Sequence, residues 1–97
     1  MTLTPLFPPG KLVATHGGRQ VMERIGYEAF EYLYGLHCTG DWGAVSNSDK
    51  HANDQAVMDG TRIISKYGDG ADVVWFITEA DRSRTTVLTP DEYLRKV

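Results

Sequence analysis

A single cysteine, Cys38, stands in a chain of 97 residues. That excludes an internal disulfide, and with only three scattered histidines no Cys/His set has the spacing of a zinc site. No apolar run is long enough to cross a bilayer. The first residues also lack a charged stretch leading into an apolar one. The expectation is a cytoplasmic protein whose lone thiol behaves as a small, half-buried hydrophobe. An excess of positive charge is missing too: ten Lys and Arg face thirteen Asp and Glu, for a net charge of -3. Domains that grip duplex nucleic acid by its phosphates usually carry a basic surplus, so this balance disfavours nucleic acid as a partner without excluding a local basic patch. No phosphate loop, G-x-S-x-G elbow, H-E-x-x-H pair or EF-hand pattern occurs. Neither a metal nor a cofactor is therefore expected. A chain of this size buries one core but not a core plus a large cofactor cavity.

What is present reads as an ordinary globular domain, 41% hydrophobic and 24% charged. Three of the four prolines fall within residues 1–10, where Pro8 and Pro9 lack donors, so an extended arm is expected there. Residues 11–97 form a single α+β domain. Lys11 to Thr15 is a short β-prone run ahead of Gly17-Gly18. Val21, Met22 and Ile25 mark one face of a first helix that Gly26 ends. Phe30, Leu33, Tyr34 and His37 mark a second, at i, i+3, i+4 and i+7. A third helix starts near Ser46 or Ser48, carries Ala52, Ala56 and Val57, and stops at Gly60. Three β-rich stretches follow, Arg62 to Tyr67, Asp72 to Thr78 and Thr85 to Leu88. They predict a three-stranded antiparallel meander whose first hairpin turns at Gly68-Asp69-Gly70. The unbroken apolar run Val73 to Ile77 predicts a middle strand covered on both faces, with Trp75 in the core. Thr89-Pro90-Asp91-Glu92 is an N-cap, a first-turn proline and a capping-box acid, the start of a short C-terminal helix.

Candidate chemistry is sparse. Gly17-Gly18, between a strand and a helix, is positioned to cradle an anion, or is simply a turn. His37 lies on an apolar helix face and fits a satisfied core histidine. The richest polar stretch is 78–86, and functional groups often sit on loops held by a rigid sheet. The expected ligand or partner site is therefore where Glu79, Asp81, Arg82 and Thr85 meet the loop bearing Asp41 and Trp42. There an aromatic wall and converging charges would form a small cleft; alternatively Arg82 pairs with a neighbouring carboxylate and closes the turn. The second helix holds more aromatics than one face can bury, so Tyr27, Phe30 and Tyr34 are the expected interface to a protein partner or a second copy.

Lys11-Leu12-Val13-Ala14-Thr15, Gly40-Asp41-Trp42-Gly43, Asn53-Asp54, Gly60-Thr61-Arg62-Ile63, Trp75 through Ser83, Thr85-Thr86-Val87-Leu88 and Pro90-Asp91-Glu92-Tyr93 together resemble a group of small bacterial proteins. These are carried on plasmids and integrated elements and often labelled "plasmid-related protein" or "type I restriction endonuclease subunit M". The resemblance covers nearly all of the chain beyond the arm and implies an accessory protein of mobile elements. An adenine methyltransferase needs a doubly wound domain and an Asn/Asp-Pro-Pro-aromatic motif. Phe7-Pro8-Pro9-Gly10 lacks both the polar residue and the aromatic. Two other functions stay open. One is a small ribonuclease of barnase, colicin or RelE-like architecture, with Arg62, Ser65, Arg82 and Thr85 on one sheet face and His51 near Glu79. The other is an inhibitor of a host defence system.

Overall fold

A computed structural model describes residues 4–95; residues 1–3 of the expected arm and 96–97 of the domain lie outside the described residues. The elements run β1 (Lys11–Ala14), α1 (His16–Ile25), α2 (Tyr27–Cys38), α3 (Asn47–Asp59), β2 (Ile63–Tyr67), β3 (Val74–Thr78), β4 (Arg84–Leu88) and α4 (Pro90–Arg95). Local chemistry sets the helix ends. The Thr15 hydroxyl accepts from the Gly18 N–H at the start of α1, and the Ser46 hydroxyl accepts from the Asp49 N–H at the start of α3. Gly60 closes α3 in the left-handed conformation.

The fold is α+β, and β2, β3 and β4 form the expected antiparallel meander. The sheet nevertheless has four strands and is mixed, in the order β1-β4-β3-β2. β1 adds to it in parallel beside β4, with Lys11 opposite Arg84 and Ala14 opposite Val87. A parallel neighbour is reached through a long crossover and leaves no turn signature in the sequence, so the periodicity of the first strand gave no sign of its pairing.

Strand alternation divides the sheet into two unlike faces. One carries Ile63, Ser65, Tyr67, Val74, Phe76, Thr78, Thr85 and Val87, all buried. Helices α1 and α2 cover it: Val21 and Phe30 join this core, and Phe30 stacks on Phe76 at 5.7 Å between ring centroids. Phe7, Trp42, Ala56 and Ile63 form a second cluster under α3. The arm is thus tied in over its described length. Phe7 is buried, and the Leu6 N–H donates to the Cys38 carbonyl. The other face carries Ile64, Lys66, Trp75, Ile77, Thr86, Leu88, Val13 and Lys11; Ile77 and Leu88 are buried on it, and among the described elements the six-residue α4 packs there through Tyr93. That corrects the expectation for Trp75. β3 is interior, but its indole points to the thinly covered face and is only partly buried, against Tyr93 at 5.1 Å.

The two sheet edges also differ. Along β2, the Lys66 N–H donates to the Trp42 carbonyl and the Lys66 carbonyl accepts from Ala44. The buried Asn53 side chain serves both the carbonyl and the N–H of Ile64. Such cover blunts a strand edge against unwanted pairing. Gly43 allows it: a Cβ there would fall 2.0 Å from the Lys66 carbonyl oxygen. Along β1, Lys11 and Thr15 donate towards β4, so Leu12 and Ala14 turn their backbone groups outward.

Candidate functional site

The polar turn between β3 and β4 is held by its own residues. Arg82 takes a positive φ of 60°, rare for a side chain of this size. Its guanidinium donates to three main-chain carbonyls, Thr61 at 2.7 Å, Glu79 at 3.1 Å and Ala56 at 2.8 Å. The last two residues of that set sit at the end of β3 and in the final turn of α3, where a cation also meets the negative end of the helix dipole. Arg82 therefore pairs with no carboxylate, contrary to the simpler expectation for it; it rivets α3 to the β3–β4 turn. Asp81 is exposed, and hydrogen bonds from the Ser83 hydroxyl and N–H hold its carboxyl below the usual range. Trp42 is buried and its indole N–H donates to Asp54 at 2.9 Å. Asp41 is exposed, and its carbonyl accepts from the Tyr67 hydroxyl at 2.6 Å.

Arg82 and Trp42 do lie on the same side of the molecule, one on each flank of Phe7. The guanidinium carbon is 5.6 Å from the Phe7 ring centre and the indole 6.3 Å from it. The phenyl ring of the arm fills the space between them, so these residues meet around a side chain and not around a cleft. Thr85 is buried and belongs to a different constellation, which sequence reasoning did not assemble.

That constellation is a hydrogen-bonded chain through the core. His37 is fully buried; its Nδ1 lies 2.5 Å from Ser65 Oγ and its Nε2 2.8 Å from Thr78 Oγ1. Thr78 Oγ1 lies 2.7 Å from Thr85 Oγ1, which donates to the Pro9 carbonyl at 2.7 Å. The carbonyl can only accept, and each hydroxyl has one proton. Thr85 must then accept from Thr78, and Thr78 from His37 Nε2–H. Nδ1 is left bare to accept from Ser65. The arm thus fixes the tautomer of a histidine on α2, on the same face of the sheet, whose ring Phe7 also touches edge-on at 5.4 Å. Burial pushes the imidazole pKa down to about 3, so the ring is neutral in the folded protein. Burial also raises Cys38 and takes Tyr34 to about 12, so neither is a ready nucleophile.

The Gly17-Gly18 turn does hold an anion, and the anion is internal. The Glu92 carboxylate accepts from Gly17 N–H at 2.9 Å, Thr15 Oγ1 at 2.5 Å and Thr89 N–H at 2.9 Å. Burial alone would raise this carboxyl, but those hydrogen bonds outweigh it and set its pKa at about 2. One residue caps α4 and occupies the N-terminus of α1.

No protein-family model, curated protein or solved structure matches this chain. The site is accordingly judged on its own chemistry. Among the described residues, no group of His, Cys, Asp and Glu is placed to hold a metal ion, and no helix is long and apolar enough to cross a membrane.

Two surfaces remain. Of the residues expected at an interface, Phe30 is in the core and Tyr34 is half-buried against Phe76, because both point at the sheet. Tyr27 is exposed, at 71%, and so is Tyr32, at 67%, which that expectation left out. Between α1 and α2 lies a recess of about 410 Å³ lined by Met22, Gly26, Tyr27 and Phe30, with Arg19 and Glu23 on its rim. The second surface is the thinly covered sheet face. Lys66 Nζ sits 4.4 Å above the Trp75 ring, and Arg62 donates to the Tyr93 hydroxyl at 3.1 Å. Lys11 and Arg84 are register partners on the same face, and both are exposed. Arg62 and Trp75 were visible in the sequence; that they share a face follows only from the register.

Proposed function

We propose that this protein is a small accessory protein that acts in the cytoplasm through protein–protein contacts, in the plasmid or mobile-element setting that its resemblance implies. The observation that supports this reading is the surface over α1 and α2. Tyr27, exposed by 71%, lines an apolar recess, Tyr32 is exposed by 67% further along the same helix, and Glu23, Glu28 and Glu31 are exposed too. Tyrosine is enriched at interfaces because it offers a large apolar body with a polar tip. The acidic surround favours a partner segment that presents an apolar side chain flanked by Lys or Arg.

The ribonuclease alternative has less to work with. Ser65 and Thr85, assigned to its sheet face, are fully buried under the helices, and the Arg82 guanidinium is engaged with three carbonyls. An inhibitor of a host defence system would use the same tyrosine surface, and the identity of the partner separates it from other accessory roles.

The test compares the protein with its Tyr27→Lys, Tyr32→Lys double variant in affinity purification from the native host. Both positions are exposed, so circular dichroism should be unchanged. A partner recovered in fixed stoichiometry with the parent and lost with the variant is the expected result. Equal recovery with both proteins, or a strict monomer with no stoichiometric partner, overturns the reading.

A further inference from the structure

The net charge of -3 is not spread evenly. On the thinly covered sheet face, strand register sets Lys11 beside Arg84, and the Glu79 N–H donates to the Arg84 carbonyl, which places Glu79 next in that row. Arg62 immediately precedes β2, whose Ile63 pairs with Thr78, so Arg62 ends the same row. The row thus reads Arg62, Glu79, Arg84, Lys11 across four strands. About 13 Å away, at roughly 3.3 Å per residue, a second row holds Lys66 and Trp75. Tyr93 of α4 bridges the two, its ring 5.1 Å from Trp75 and its hydroxyl on Arg62. Four cations therefore share one face with two partly exposed aromatic rings, and two of those cations, Lys66 and Arg62, rest over the rings themselves. Three carboxylates are near them: Glu79 in the row, Asp81 in the adjoining turn, where it interacts with Arg84, and Asp49, which lines a recess together with Arg62 and Lys66. The ion pair found among the described residues, Arg24 with Asp72, is elsewhere.

Lysines and arginines that form no salt bridge among the described residues, set around aromatic rings on a sheet face, match what a flexible polyanion with stackable bases offers. Phosphates answer the cations and bases stack on the rings. A duplex hides its base faces and would use only the charge. We infer that this sheet face binds single-stranded nucleic acid, with Lys11, Arg62, Lys66 and Arg84 on the phosphates and Trp75 and Tyr93 against the bases. The surface lies across the sheet from α1 and α2, so the inference stands apart from the protein-contact reading and would make the chain a two-faced adaptor.

The experiment is fluorescence anisotropy with labelled oligouridine and oligothymidine of about 12 nucleotides, within the usual site size of a single-strand module, and with a duplex of equal length. Dissociation constants of about 10⁻⁴ to 10⁻⁶ M are expected for the single strands, typical of sequence-independent binding. With three or four phosphates neutralised, log K should fall with log salt at a slope of about -2 to -3. Lys11→Glu with Arg84→Glu changes two exposed residues and should weaken binding at least tenfold and lower that slope by about two. Arg19→Glu, on the opposite side, should leave both unchanged. Quenching of Trp75 emission on titration would place the bases on that ring. Preference for the ribose or the deoxyribose strand would name the natural ligand, and either supports the inference. Absence of salt-dependent binding, equal affinity for the duplex, indifference to the Lys11/Arg84 reversal, or a dimer that this reversal dissolves without any oligonucleotide binding would overturn it.

Discussion

Acidification offers a sharp test of the buried histidine. His37 is faced by Phe7, Trp42 and Phe76 and hydrogen-bonded by Ser65 and Thr78, so no charged group is at hand to receive an imidazolium. Its pKa is about 3 in the folded chain against 6.5 for a free imidazole. Below pH 6.5 the unfolded chain takes up a proton that the folded chain refuses. The stability contributed by the neutral ring is thus fully present above pH 6.5 and is lost as pH falls towards 3. At 1.36 kcal/mol per unit, lowering the pH from 7 to 5 costs about 2 kcal/mol, and about 3 kcal/mol is gone by pH 4. For a small domain that is a large share of a total near 5–15 kcal/mol. Urea unfolding at pH 7, 6 and 5, followed by tryptophan emission, measures it. His37→Gln keeps a donor and an acceptor but cannot titrate, so it should be less stable at pH 7 and flat down to pH 5. A parent protein equally flat over that range would refute the buried, neutral assignment.

Three further outcomes follow from the same contacts. Glu92→Gln should remove stability that the parent shows above pH 4.5 and loses as pH falls towards 2, the sign expected of a carboxyl whose folded value is depressed; thermal melts across that window would detect it. Gly18→Ala should destabilise by about 1–3 kcal/mol, since a Cβ would fall 2.2 Å from the Val87 carbonyl oxygen, and an unchanged urea midpoint would mean that α1 is not seated on β4. Arg82→Ala frees three carbonyls and should cost about 2 kcal/mol, read as a shift in the same midpoint, with no shift refuting its role as a rivet.

Much of the fold was legible because its signals are local. Ser46, Gly60 and the Thr89-to-Glu92 capping pattern announce themselves through backbone groups a few residues away. The same is true of the apolar face that carries His37. What stayed hidden depends on partners distant in the chain. The parallel placement of β1 has no turn to betray it, and the second reach of Glu92, to Gly17, spans 75 residues. The run Val73 to Ile77 looks uniformly interior, yet alternation hands Trp75 to a face that one short helix half covers. The form of the expected site was hidden for a similar reason. Arg82 is polar, charged and in a turn, as a functional residue would be, but its positive φ and its three carbonyl partners cannot be read from neighbours. Asn53 did leave a trace, as a polar residue one helical turn from Ala56 in the apolar stripe of α3.

The closure of the sheet by β1 bears on how the protein comes into being. Pro9 meets Thr85 and Thr15 meets Glu92, contacts spanning 76 and 77 residues in a chain of 97. Bringing such distant segments together costs about 1.8 kcal/mol more loop entropy than closing a ten-residue loop, by the logarithmic scaling of chain closure. The meander can assemble from nearer neighbours, so β1, with α1 that rests on β4, docks after it. On a ribosome β1 emerges early and must wait, its backbone unpaired, until β4 and α4 have cleared the exit tunnel. The sheet therefore closes only once β4 and α4 are free of the ribosome. A chain cut short before Thr85 would carry its N-terminal strand as an orphan.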